Sequence, residues 1–193
     1  MPKQIVFSDR AMTALLVETY EKIKTETGGV FLGYRKGDVW YVVETIDPGP
    51  DSIFRTAYFE YDQAYINHLI NKISRLYREQ LDLIGLWHRH PGSLDEFSST
   101  DDGTNKQYAQ LDKDGAVSAL VNIDPTFRLT VYEVKEPLSY KKINYVVGDE
   151  NIPVHLLGYV SQKLLTSKIN DTSNQVPGKP KASFSNLLKQ YQI

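Results

Sequence analysis

A chain of 193 residues with 41% hydrophobic content is long enough to bury one sizeable core, so one main folded body is expected. Lys and Arg number 22 against 24 Asp and Glu, which leaves no long-range field to draw in nucleic acid or an anionic membrane, and neither is expected as a partner. Cysteine is absent, which excludes disulfides, thiolate metal ligands and cysteine nucleophiles; any hydrolysis must use water, Ser or Thr.

The first ten residues, MPKQIVFSDR, run straight into an alternating apolar pattern with no apolar leader core. No apolar run approaches the roughly 20 residues that span a bilayer, and a cytoplasmic location is expected. Gln4 to Phe7 reads as a short strand. Ser8 is a candidate N-cap for a helix in which Ala11, Leu15, Leu16 and Tyr20 recur at helical spacing up to about Thr25, with the Gly28-Gly29 pair as its stop. VFLGYR and VWYVVETI flank Lys36-Gly37-Asp38, a hairpin signal, and Asp47 to Asp51 forms a Pro/Gly loop after it. Tyr58 to Glu60 reads as a brief strand and Tyr61 to Arg78 as a second helix.

Leu83 to His90 is a compact apolar run expected as a central strand. A Pro/Gly/Ser loop and a helix from about Ser99 to Leu111 follow it. Ala116 to Ile123, Arg128 to Val134 and Tyr140 to Val147 alternate as three more strands, and Val154 to Leu165 has the pattern of a last amphipathic helix. The body is therefore mixed α and β, over residues 1–165. Residues 166–182 have the Ser, Thr, Asn, Lys and Pro content of a flexible linker. Within 183–193, Phe184, Leu187, Leu188 and Tyr191 follow one face of a short helix, expected to dock on its own domain or in a partner protein's groove.

Of the four histidines, His68, His88, His90 and His155, two lie two residues apart at the end of the predicted central strand. A period of two puts His88 and His90 on one face and Trp87 and Arg89 on the other, so two imidazoles can share one ion. Pro91 stops the strand, and a loop leads to Ser98 and Asp101 at a predicted helix start. That turn can bring Asp101 back to the histidines. Two imidazoles, a carboxylate and one open position make the arrangement of a catalytic zinc site, although a mononuclear iron oxygenase uses the same ligand types. Ser98-x-x-Asp101 also matches a helix capping box, which would account for both residues without a metal. The full run of His-x-His-Pro, six residues, Ser, two residues and Asp fixes five positions. It is expected by chance in on the order of one chain in tens of thousands.

His88-Arg-His90-Pro91 with Ser98 and Asp101 resembles the JAMM motif of the MPN-plus (JAB) zinc metallopeptidases. Glu26-Thr-Gly-Gly-Val-Phe-Leu-Gly33 resembles the segment that carries the catalytic glutamate in that family. The resemblance runs over roughly residues 2–150. It implies an MPN/JAB domain of the cytidine-deaminase-like kind, with a central mixed β-sheet flanked by helices. It also implies Zn²⁺ held by His88, His90 and Asp101, Glu26 as general base, and Ser98 as donor to the oxyanion. Read as a residue alone, Glu26 is not distinguished from Glu18, Glu21 or Glu44. The implied substrates are amide or isopeptide bonds after the C-terminal tail of ubiquitin or a ubiquitin-like protein. The prokaryotic-type members bring in a bacterial conjugation or antiphage setting, or processing of a sulfur-carrier precursor, and a non-catalytic MPN scaffold is the reading from another class. The loop from Pro48 to Thr56 and the segment Gly92 to Phe97 are the expected walls of the substrate groove.

Overall fold

A computed structural model of the chain describes residues 2–158 apart from 57 and 93. Strand β1 (Gln4–Phe7) leads through the predicted cap Ser8, whose Oγ accepts the Ala11 N–H, into α1 (Asp9–Glu21). The helix ends at the C-cap Lys22, six residues before the first of the two glycines expected to stop it. Gly28 and Gly29 lie inside β2 (Thr27–Lys36), which turns at Gly37 into β3 (Val39–Ile46). A two-stranded ribbon, β4 (Ile53–Arg55) and β5 (Tyr58–Glu60), stands apart from the main sheet. Helix α2 (Gln63–Ile73) follows, N-capped by Asp62. The chain then forms β6 (Asp82–Arg89), α3 (Ser99–Ala109), β7 (Ala116–Asn122), β8 (Arg128–Lys135) and β9 (Ser139–Val147). Val154–Leu156 is a single 3₁₀ turn and Leu157 is extended, so the helix predicted from Val154 does not form over its described part; its remainder, the linker over 166–182 and the helix over 183–193 lie outside the described residues.

The main sheet is mixed, in the order β1-β3-β2-β6-β7-β8-β9, and it closes because β1 pairs in parallel with both β3 and β9. β6 and β7 are also parallel, joined by a crossover that contains α3; the other neighbours are antiparallel. Phe7 packs edge-on against Phe31 and Tyr145 inside, with Trp40, Trp87 and Val117 completing a dry core. Helix α1 covers β2 and β3, and α3 lies on β7 and β8. This is why β2 is buried along its first eight residues and reads as a nearly continuous apolar run rather than an alternating one. Among the described residues, no helix is long and apolar enough to cross a membrane.

Candidate metal centre

Strand β6 presents His88 on the face toward α3 and ends at Arg89, so His90 follows on the same side. The loop after it is anchored rather than free. Arg128 forks onto Asp95 at 3.1 and 3.2 Å, Asn122 Nδ2 donates to the Leu94 carbonyl, and Phe97 stacks on Tyr140 with ring centroids 4.7 Å apart. These anchors deliver Ser98 to the N-cap of α3. There Asp101 N–H donates to Ser98 Oγ at 3.2 Å, while Ser98 N–H and its hydroxyl both donate to Asp101 Oδ2 at 2.7 Å. The capping box is therefore real, and it holds the same carboxylate against both histidines. His88 Nδ1 lies 2.7 Å from Asp101 Oδ1, and His90 Nε2 lies 3.1 Å from Oδ2.

All three side chains are buried, at 7%, 4% and 6% exposure for His88, His90 and Asp101. Burial pushes the Asp101 carboxyl up, but the hydrogen bonds from His88 and His90 outweigh it and hold the group well below the usual carboxylate range. The hydrogen bond to Asp101 raises His90 against its own burial, helped by the charges of Asp101 and Glu26 and by the Leu94 carbonyl. One ligand atom from each of the three lies within 4.8 Å of the others. Two imidazoles and an ionised carboxylate, all buried and converging, fit a divalent metal ion.

Glu26 precedes β2, with its N–H donating to the Arg55 carbonyl at 2.9 Å. Its carboxyl is raised by burial, opposed by His90, pushed further by Asp101 and opposed again by His88, so its charge is felt by all three donors. Glu26, His88, Ser98 and Asp101 share one cavity of about 300 Å³. β2 passes this close because Gly28 faces His88 across the β2–β6 ladder; a Cβ there would meet Trp87 O, lie 2.9 Å from Phe59 and lie 3.1 Å from His88.

The other walls differ from those expected. Tyr58, Phe59, Glu60 and Tyr61 form one side, and Thr104, Gln107 and Tyr108 of α3 form the other. Residues 48–50 and Phe54 line a separate cavity beside Glu18 and Asp47, and none of the described residues of 92–97 lines the site. The α3 wall was visible in principle, since Thr104 and Tyr108 sit three and seven residues after Asp101 on one helical face. Phe59 meets the His88 ring edge-on at 6.0 Å, a contact that no local pattern announces.

A family model described as prokaryotic homologs of the JAB domain matches residues 8–132, a span that contains Glu26 and all five motif residues. The chain belongs to this JAB-domain family. A protein of Sinorhizobium fredii, named as a probable metalloprotease, y4qB, is 30% identical over 94 residues. That match covers 48% of this JAB-domain chain and 57% of the relative, so the chain spans little more than half the length of the curated relative that it matches. The solution structure of protein DSY2949 from Desulfitobacterium hafniense superposes with a TM-score of 0.58 at 14% identity. It covers 74% of this chain and 92% of that one, which is a likeness of fold.

Proposed function

We propose that this JAB-domain protein is a zinc-dependent peptidase that cleaves the amide or isopeptide bond after the C-terminal tail of a ubiquitin-like protein. One observation carries the reading: a carboxylate raised by burial opens on the same cavity as His88 and Asp101, two members of a converged His-His-Asp donor set. Zinc held by His88, His90 and Asp101 supplies a Lewis acid that makes water a ready nucleophile near neutral pH and polarises the scissile carbonyl. Glu26 takes the proton of the attacking water and returns it to the departing amine. Ser98 is the proposed donor to the developing oxyanion. Its hydroxyl donates to Asp101 Oδ2, so this role requires the hydroxyl to turn into the cavity that it lines.

An extended tail suits the walls. The β4–β5 ribbon has only two strands, so among the described residues β5 pairs with a strand on one edge alone, and β5 borders the cavity. The setting in a bacterial conjugation or antiphage pathway belongs to the proposal through the family resemblance. The test is incubation of the protein with fusions of ubiquitin-like proteins that differ in their tails, with and without a chelator, read by intact-mass spectrometry. Cleavage after a terminal glycine that chelation abolishes is expected. Cleavage that survives chelation, or none with any tail, contradicts the proposal. Cleavage of peptide-extended precursors with no cleavage of lysine-linked conjugates would favour sulfur-carrier or precursor processing.

A further inference from the structure

Arg89 lies between the two histidines in sequence but on the opposite face of β6, where it is 1% exposed. Its Nη1 donates to the Lys22 carbonyl at 2.6 Å and to the Thr25 carbonyl at 2.9 Å. Those carbonyls bracket the turn that joins α1 to β2 and delivers Glu26. None of the ion pairs among the described residues includes Arg89, and its Nε has no partner among them. A cation taken out of water with carbonyls as its hydrogen-bond partners is costly to the fold, and the charge of Asp124 offsets only part of that burial. What it secures is the conformation of residues 22–25, the last before Glu26.

The neighbouring contacts fix the same short stretch from other sides. Glu26 N–H is held by the Arg55 carbonyl, and Thr27 Oγ1 donates to the buried Glu18 at 2.5 Å. Thr27 also pairs directly with Arg89 across the β2–β6 ladder. One peptide segment, 88–90, therefore places two metal-ligating imidazoles on one face and clamps the carrier of the carboxylate from the other.

We infer that Arg89 is a positioning residue that sets Glu26 against the His88–His90 pair by fixing the 22–25 turn. The inference rests on the reading of Glu26 as proton carrier. A residue that only caps the carbonyl end of α1 would affect stability without touching the proton transfer, and the two cases separate experimentally.

The test compares Arg89→Met and Arg89→Lys with the unaltered protein. In the metal-free state, the amides of residues 23–27 are expected to exchange with deuterium faster in Arg89→Met while those of β6 and β7 keep their protection; this needs no substrate. With metal loaded and a diglycine-terminated peptide coumarylamide as probe, Arg89→Met should keep one equivalent of metal. It should lose about tenfold to a hundredfold in kcat with KM nearly unchanged. Arg89→Lys, which keeps the charge but not the fork, should lose less, and if Arg89→Met fails to fold, the lysine variant decides. In a Glu26→Gln background the Arg89 substitution should cost nothing further. An undiminished kcat in the folded Arg89 variant, or an equal further loss in the Glu26→Gln background, overturns the inference. Normal turnover of Glu26→Gln alone overturns the proton-carrier reading instead.

Discussion

The carboxylate of Asp101 closes the N-terminal box of α3 through Oδ2 and faces both imidazoles at the same time, so the capping reading of the Ser98-x-x-Asp101 spacing leaves room for the ligand reading. Ser98→Ala removes the acceptor for Asp101 N–H and should cost about 1 kcal/mol in urea unfolding. It should also lower kcat more than it raises KM in a peptide-cleavage assay, and an unchanged kcat would remove Ser98 from the chemistry. Glu26→Gln should keep its metal and lose on the order of 10²- to 10⁴-fold in kcat. The histidine pair was legible because a strand repeats every two residues, and Asp101 because a capping box has fixed spacing. Glu26 was singled out only through the family resemblance. The structure separates it from its rivals: Glu18 accepts from Thr27, Glu21 pairs with Lys22, Glu44 binds Arg10 and Tyr77, and of the four only Glu26 lines the cavity.

At the scale of elements, the site depends on how closely β2 approaches β6. Gly28→Ala inserts a methyl group against Trp87 O, Phe59 and His88, and should cost about 1–3 kcal/mol by overpacking. Weakened metal retention on dialysis should accompany it, and unaltered melting with full metal content would show that the ladder has slack there. The alternation of β7, β8 and β9 and the hairpin at Gly37 follow from local pattern, and they appear within a residue or two of expectation. The misplaced end of α1 has a physical cause: two glycines look like a helix stop, but here they serve the close packing of a strand. Strand β4 went unseen because it follows directly on the Pro/Gly loop at 47–51 and its pairing with β5 supplies the reason it exists.

Closure of the whole sheet was not legible, since β1 reaches β3 and β9 through pairings some 35 and 140 residues away in the chain, which no local period encodes. The same long reach ties α1 to the segment after α2. Arg10 Nε pairs with Glu44 at 2.8 Å and Tyr77 donates to it at 2.6 Å, with Glu44 3% exposed. Burial raises the Glu44 carboxyl, and the bonds from Tyr77 and Arg10 only partly offset it. With a folded pKa above the unfolded one, its favourable contribution is full below the ordinary carboxylate value of about 4.3 and is lost as pH rises through the raised value. Tyr77→Phe removes a donor to the ionised form, so its deficit in urea midpoint should grow from pH 4 to 8, reaching about 1–3 kcal/mol; a deficit independent of pH would contradict the linkage. The most direct test of the account is the metal content of purified, zinc-reconstituted protein after exhaustive dialysis, measured beside Asp101→Ala. One equivalent of zinc in the unaltered chain and none in the variant is predicted, and an equivalent retained by Asp101→Ala would contradict the metal centre on which the peptidase reading stands.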